Sequence, residues 1–434
     1  MAKVGKKIPQ SMIGRAGRML LSGAKVVAME AADRLSSGET PIATRIKQTQ
    51  ELVSTIGQLK GAAMKAAQLL SIEFSEMLPP EVVAVLRQLH DDSSFMPFDQ
   101  VRYILGRQLG AEKLSRLEQL TPEPIAAASI GQVHRALLDG RPVAVKIQYP
   151  GVGKSIDADL NVLKRMVLLI LQIQGKKVDF EPFFKAVVAS LKREADYRIE
   201  ANSMEQYKAL LVNPAYRVPE VIREFSSEQV LTLSFESGIR ISDWLKSKPD
   251  PEQTRHFARL VLGLVIEEML INGLVQTDPN FGNFLYLPKE GVLVLLDFGA
   301  THSYSLQQRR DLLRIIKLVM AKRHTDAVKA CQDLGLVHPA ESEESVGLLV
   351  ECMDLLAQLM HPEYQPFQYR NDAWLKEVRT SATRAGQSFA HTPPPTDLAF
   401  LGRKLGGMFH MLKDFEAVVD MTEFRSRIEQ LDLG

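Results

Sequence analysis

Apolar positions in this chain follow helical spacing in some stretches and strand spacing in others, and the switch points divide it. From about Thr44 to Gln88, Ala, Leu and Met recur every three or four residues, which predicts several helices interrupted at Pro79-Pro80. Near Pro124 the pattern changes. Ala126 to Leu137 and Pro142 to Gln148 read as two strands joined by an Asp139-Gly140 turn. Helical spacing returns from Ser155 to about Leu171 and from Phe183 to about Leu211, and strands follow at Val218 to Glu224 and Val230 to Phe235.

Ser237-Gly238 is a hinge signal, followed by a short helix near Ile241 to Lys246 and a long one from about Pro251 to Asn272. Phe284 to Leu287 and Val292 to Leu296 pair as a hairpin through Lys289-Glu290-Gly291. From Leu306 onward the chain is mostly helical, with a loop at Thr392-Pro393-Pro394-Pro395. A small β-rich part, a hinge and a larger helical part predict a two-lobed α+β fold with a cleft between the lobes. The segments are a basic stretch at 1–40, a helical extension at 41–98, an N-lobe at 99–236, a C-lobe at 237–330 and a C-terminal helical extension at 331–434.

At 434 residues the chain is long enough for more than one structural unit. Its 45% hydrophobic and 24% charged residues are ordinary for a soluble globular protein, and a formal net charge of +1 supplies no field for nucleic acid. Cys331 and Cys352 both fall in helical sequence, which predicts core thiols and argues against a disulfide framework. Stretches such as Met166 to Ile173 and Leu260 to Leu270 are too short or too charged to span a bilayer, which takes about 18 apolar residues.

The N-terminal stretch departs from this neutrality. Lys3, Lys6, Lys7, Arg15, Arg18 and Lys25 precede the first acid, Glu30, and alternate with Ile8, Met12, Ile13, Leu20 and Val26. Two readings stay open: a basic amphipathic helix lying on an anionic membrane surface, or a solvated tail. The first places the chain in the cytoplasm as a peripheral membrane protein.

Three separated stretches carry the chemistry. Val143-Ala144-Val145-Lys146 ends an apolar strand with a lysine able to set a point charge beside phosphates, and Glu200 in the helical sequence that follows is its acidic partner. In Gln276-Thr277-Asp278-Pro279-Asn280-Phe281-Gly282-Asn283, Pro279 and Gly282 favour a rigid bend between Asp278 and Asn283. Asp297 in Leu296-Asp297-Phe298-Gly299 adds a second carboxylate after an apolar strand. This is the order in which protein kinases hold ATP and Mg²⁺: Asp278 orients the acceptor, while Asn283 and Asp297 offer the hard oxygen ligands magnesium takes.

Ala126-Ala127-Ala128-Ser129-Ile130-Gly131-Gln132-Val133 matches the spacing of a kinase glycine-rich loop, with Ala126 and Ala128 in place of the first two glycines and Gly131 kept. The added methyl groups predict a stiffer phosphate loop. Glu194, Asp196 and Glu200 are expected on one helix, the last two on a shared face. After Gly299 only Ala300 to Tyr304 precede the next helical stretch, and no Ala-Pro-Glu follows, which leaves no segment to seat a peptide and argues against a protein substrate.

These residues resemble the UbiB/ADCK family of atypical kinase-like proteins, also called AarF or COQ8-like, over roughly residues 8 to 415. Ala126 to His134 is similar to its alanine-rich loop, Glu194-Ala195-Asp196-Tyr197 to its E-x-D motif, Gln276 to Asn283 to its catalytic loop and Thr392 to Pro395 to its C-terminal extension. The resemblance implies a two-lobed protein-kinase-like fold whose N-terminal helices cover the cleft, binding of ATP or ADP with Mg²⁺ and slow ATP hydrolysis. It also implies membrane association and support of ubiquinone or prenyl-lipid biosynthesis, with quinone precursors or quinone-biosynthesis proteins as partners. The family's covering helices carry a K-x-G-Q motif whose lysine reaches toward the E-x-D carboxylates. Here Lys65-Ala66-Ala67-Gln68 stands in that place, with Ala67 for the glycine, so Lys65 and Gln68 are the expected regulatory residues.

The leading expectation is therefore an atypical kinase or ATPase serving isoprenoid quinone synthesis or prenyl-lipid handling. A phosphotransferase acting on a protein or small molecule, and a nucleotide-gated lipid-binding scaffold, remain alternatives. The sequence leaves the oligomeric state open, a dimer included.

Overall fold

The computed structural model describes residues 95–128, 130–173, 181–392 and 396–434, and the chain forms two units. The basic stretch 1–40, Lys65, Gln68, Ser129 and Pro393 to Pro395 lie outside the described residues. The first unit contains the described residues up to Asn202 together with Glu220–Phe235. The second contains Ser203–Pro219 and Glu236–Gly434.

The described part of the first unit runs from helices α1 (Phe98–Leu109) and α2 (Ala111–Arg116) to strands β1 (Leu117–Glu118), β2 (Ala126–Ala128), β3 (Gly131–Leu138) and β4 (Arg141–Gln148). Asp139 and Gly140, at φ 50° and 77°, form the two-residue turn that matches the right-handed twist of a hairpin, so β3 and β4 pair along their full length. Helices α3 (Val152–Ile173), α4 (Glu181–Glu194) and α5 (Tyr197–Leu210) follow. After β5 (Tyr216–Arg217), the chain re-enters the first unit and supplies β6 (Val230–Ser234). The result is an antiparallel sheet in the order β1-β3-β4-β6, with β2 on β3. Val143, Val145 and Ile147 alternate onto one face of β4 and pack with Val101 and Leu105 of α1, Ala136, Phe225 and Val230.

Three sequence expectations change in this unit. The one strand expected from Ala126 to Leu137 is two, β2 and β3, which pair antiparallel with each other. The single helix expected from Phe183 to Leu211 is broken between α4 and α5. Gln148 Nε2 donates to the Ala195 carbonyl at 2.8 Å, the Tyr197 N–H donates to the Glu228 backbone carbonyl at 3.0 Å, and Asp196 caps α5 by accepting the Arg198 N–H at 3.0 Å. Backbone groups that a continuous helix would pair internally are spent instead on Gln148 of β4 and on the loop before β6. The strand expected at Val218 to Glu224 shrinks to one bridge, Val221 to Leu233, before a 3₁₀ turn at Arg223–Phe225 that buries Phe225 in the core.

The second unit runs through β7 (Ile239–Arg240), α6 (Ile241–Lys246), α7 (Pro251–Ile266), β8 (Leu274–Gln276), β9 (Phe284–Leu287), β10 (Val292–Leu295) and β11 (Thr301–Ser303). Asp250 starts α7 with a reciprocal capping box to Gln253, and Pro251 occupies the first turn, where its missing N–H costs nothing. The last turn, Glu267–Asn272, widens to π geometry before the left-handed Gly273 ends it. β5, β10, β9 and β7 form a mixed four-stranded sheet, and β8 pairs with β11.

Helices α8 (Leu306–Met320), α9 (His324–Asp333), α10 (Glu343–Ala357) and α11 (Asp372–Ser388) follow, the last after β12 (Phe367–Gln368). Then come α12 (Thr396–Asp414), β13 (Val418–Val419), which pairs with β12, and α13 (Thr422–Gln430). Trp244, Phe257, Tyr286 and Phe415 form an aromatic core with ring centroids 4.5 to 5.4 Å apart. Cys331 and Cys352 are buried free thiols. Among the described residues, no helix is long and apolar enough to cross a membrane.

Candidate active site

In the first unit, the face of β4 opposite the core carries Lys146. The register aligns Ala126, Val133, Lys146 and Leu231 in one row across β2, β3, β4 and β6, so Val133 and Leu231 flank Lys146 and Ala126 lies one strand further out, beyond Val133. Lys146 Nζ lies 2.8 and 2.9 Å from the two carboxylate oxygens of Glu200 on α5. The Lys146 side chain is 11% exposed and that of Glu200 1%, and the ammonium sits 5.0 Å from the Tyr197 ring centre. A lysine pinned in this way presents its charge at a fixed point, as phosphate recognition requires.

Ala126, Ala127 and Ala128 are paired strand residues, opposite Val133, Gln132 and Gly131, and none has positive φ. The kept glycine has a packing reason. A Cβ on Gly131 would run into the Ile147 carbonyl oxygen and come within 2.8 Å of the Tyr197 hydroxyl. On the core face, the Gln132 amide oxygen accepts the Met96 N–H at 2.6 Å, while its Nε2 lies 2.8 Å from His134 Nε2. Burial holds His134 below its ordinary value, so the neutral ring donates from Nδ1 to the Thr121 carbonyl and accepts at Nε2.

The E-x-D residues separate. Glu194 is buried at the end of α4, Asp196 caps α5, and Glu200 lies within α5. Glu194 and Glu200 therefore lie on different helices, and Asp196 stands between them at the start of α5. Arg198 grips the Asp196 carboxylate at 2.8 and 2.9 Å and holds it below the usual carboxylate range. Asp196 borders a pocket of about 610 Å³ formed with Gln148, Pro150, Gly151 and Lys192.

In the second unit, the catalytic-loop sequence leaves β8 and turns through a 3₁₀ segment at Phe281–Asn283, capped by Asn280 accepting the Gly282 N–H at 2.9 Å. Asn283 Nδ2 donates to the Asp278 carbonyl at 3.0 Å. With the amide nitrogen committed to the loop, the amide oxygen is the group that would meet a metal. The Asn283 carbonyl accepts the Leu296 N–H at 2.9 Å, tying this loop to the strand that ends at Asp297. Gln276 Nε2 holds the Asp297 carbonyl at 2.7 Å, and Asp297 Oδ1 accepts the Gly299 N–H at 2.9 Å. Phe298 is fully buried, edge-on to Tyr207 with centroids 4.8 Å apart.

Asn283 and Asp297 are hard oxygen donors and fit Mg²⁺, which takes few protein ligands and completes its shell with water and phosphate oxygens. The described residues contain no cluster of three or more His, Cys, Asp or Glu side chains that would hold a metal by protein ligands alone. After Gly299 the chain enters β11 at Thr301 and α8 at Leu306 directly.

Residues 88–331 match the ABC1 atypical kinase-like domain. The chain belongs to the ABC1 atypical kinase-like family. Among its relatives, it is 32% identical over 390 residues to the Schizosaccharomyces pombe protein named atypical kinase COQ8, mitochondrial, and 31% identical over 376 residues to Caenorhabditis elegans atypical kinase coq-8, mitochondrial. These alignments cover 88% and 85% of this chain but 62% and 49% of the relatives, so the chain spans about half to two thirds of their length. Its fold also resembles that of the Mycobacterium tuberculosis protein Rv3197, solved as a complex with erythromycin. The TM-score is 0.62 at 27% identity, covering 88% of this chain and 95% of that one. The chain thus has the kinase-like fold of the ABC1 family, with mixed helices and sheets.

One feature of the second unit has no counterpart in the sequence expectations. Glu268, in the π turn before β8, is fully buried, accepts the Tyr207 hydroxyl at 2.5 Å and the Gln276 N–H at 3.3 Å, and pairs with Lys404 of α12 at 2.6 Å. A glutamate set within the apolar run from Leu260 to Leu270 was the available signal, since a buried acid demands partners. Lys404 lies far along the chain and carries no local mark.

Proposed function

We propose that the chain binds ATP or ADP with Mg²⁺ and acts as an atypical kinase or ATPase, in support of isoprenoid quinone biosynthesis or prenyl-lipid handling at a membrane. The observation that carries this reading is the buried Lys146–Glu200 ion pair, bidentate at 2.8 and 2.9 Å, on a strand flanked by the alanine-rich hairpin. In this role Lys146 holds phosphate oxygens, Glu200 fixes the ammonium, Asn283 and Asp297 offer oxygens to the metal, and Asp278 orients the acceptor. A bound magnesium ion would neutralise phosphate charge as it develops. The direct passage from Gly299 into β11 and α8 supports an acceptor other than a peptide, because no extended segment intervenes. The relatives named atypical kinase COQ8 support the link to quinone metabolism.

The test is Mg²⁺-dependent ADP binding to the chain and to its Asp297→Asn variant, followed by calorimetry. The wild-type chain should bind only weakly once magnesium is chelated, and Asp297→Asn should bind weakly with or without it. Equal magnesium dependence in both would remove the metal assignment. Quinone content in a strain lacking this gene, rescued by the chain but not by Asp278→Asn, tests the physiological part.

A further inference from the structure

Two consecutive acids, Glu267 and Glu268, open the π turn that leads into the catalytic loop, and each is paired with the C-terminal part of the chain. Glu267, mostly buried, meets Arg427 of α13 at 2.6 Å. Glu268 meets Lys404 of α12 at 2.6 Å, with both side chains wholly excluded from solvent. The π turn from Glu267 to Asn272 contains both acids, and such turns recur where a helix must be locally re-aimed near a working site.

From Glu268 the contacts run directly into the loop. Its Oε1 takes the Gln276 N–H at 3.3 Å, and the side chain of that same Gln276 holds the Asp297 carbonyl at 2.7 Å. It also takes the hydroxyl of Tyr207, the ring on which Phe298 rests. One turn from Lys404, Gly407 lies flush against Pro279, and a Cβ at 407 would overlap the proline ring. Phe400, one turn in the other direction, stacks on His302 of β11 with centroids 4.7 Å apart. Lys404 Nζ is itself 5.8 Å from the Phe284 ring, where the loop returns to β9.

We propose that α12 is a built-in splint for the catalytic loop, in which Lys404, acting through Glu268, and Gly407, acting on Pro279, are positioning residues for Asp278 and Asn283. A buried ammonium is costly unless paired, so Lys404 is held in place by what it holds. Burial lowers the Lys404 ammonium below the ordinary lysine value, and the carboxylates of Glu268 and Asp278 oppose that shift, which puts Asp278 within electrostatic reach of this helix. Any group transfer that uses Asp278 would then depend on α12, although no residue of α12 needs to touch substrate.

The kinetic half of the test rests on the nucleotide reading above, and the structural half does not. Hydrogen exchange on the whole chain without nucleotide is compared for wild type, Lys404→Met, and Lys404→Met with Glu268→Gln. Lys404→Met strands a buried carboxylate, so exchange across 274–283 should accelerate by about tenfold or more, while the first-unit sheet keeps its protection. Adding Glu268→Gln removes the stranded charge but keeps an acceptor for Tyr207 and Gln276, and should restore most of the protection. In ATP turnover, Lys404→Met should lower kcat while leaving KM near wild type, because Lys146 is untouched.

Exchange across 274–283 that stays at the wild-type level in Lys404→Met overturns the proposal. If Lys404→Met does not fold, Gly407→Ala decides the matter without altering a charge. Faster exchange confined to 276–283 supports the splint, and unchanged exchange there overturns it. Absence of any ATP turnover in the wild-type chain counts against the nucleotide reading alone, and the exchange comparison then decides this proposal by itself.

Discussion

Lys146 and Glu200 meet through both carboxylate oxygens although 54 positions separate them in the chain. Because Glu200 is 1% exposed, the pair is not an exposed ornament but a buried charge couple, and loss of one member strands the other. Glu200→Ala should therefore lower unfolding free energy by about 3–5 kcal/mol, read as a fall in the urea midpoint at constant slope. Lys146→Met with Glu200→Leu removes both charges and should recover much of that stability while nucleotide affinity stays low. A double variant no more stable than Glu200→Ala would show that the charge couple is not what stabilises this strand and helix.

Gly131 and Ala128 face each other across the β2–β3 pair, and their substitutions should separate packing from ligand binding. Gly131→Ala forces a methyl against the Ile147 carbonyl and the Tyr197 hydroxyl, an overpacking that costs about 1–3 kcal/mol in thermal or urea unfolding. Ala128→Gly meets no such barrier and should cost at most about 1 kcal/mol, the usual penalty for glycine in a strand. On the nucleotide reading proposed above, its effect should appear in nucleotide affinity or turnover, because a looser β2 would change how the hairpin meets phosphates. If ADP affinity and ATPase rate are both unchanged in Ala128→Gly, the alanine-rich loop has no part in binding.

Local chemistry explains what could be foreseen. The Asp139-Gly140 turn and the β3–β4 hairpin follow from two adjacent residues that accept left-handed φ, and the helix starting at Pro251 follows from Asp250 with Gln253 three residues on. The break at Ala195 and Asp196 was invisible because its causes, Gln148 and Glu228, lie on other elements. Val218 to Glu224 looked like a strand by composition, but most of it leaves the ladder once Phe225 turns into the core. Asp278, Asn283 and Asp297 announce themselves by spacing, whereas Glu268 and Lys404 come together only in the folded chain, with no motif to link them.

Burial pushes the Cys331 thiol up to about 11 and raises Cys352 as well, with the Glu351 carboxylate adding to the latter. A raised value means the folded state favours the neutral thiol, so this contribution to stability is complete below the ordinary thiol value near 9 and is lost as pH climbs toward about 11. At pH 8 the native chain should resist alkylation by iodoacetamide at both positions, and the chain unfolded in urea should label at both. Fast labelling of native Cys331 at pH 8 would contradict its burial.

Glu341 makes the opposite case at the edge of the C-terminal part. Burial alone would raise its carboxyl, but the Ala390 N–H, the Thr392 hydroxyl, and the N–H groups of His391 and Thr392 outweigh that and hold it at about 2. The donors lie 2.7 to 2.9 Å from its oxygens, and the Thr392 hydroxyl oxygen in turn accepts the His338 N–H at 2.9 Å. A depressed value means the stabilising contribution is present above the ordinary carboxyl value near 4.5 and fades as pH falls through that value toward about 2. The segment Ala390–Thr392 should accordingly loosen below pH 4.5, ahead of the aromatic core around Trp244, in hydrogen exchange resolved by segment. Glu341→Gln keeps one acceptor but loses the charge, and should show the loosened segment already at pH 7. If the variant protects Ala390–Thr392 as well as wild type does at pH 7, the ionised carboxylate is not what anchors this loop.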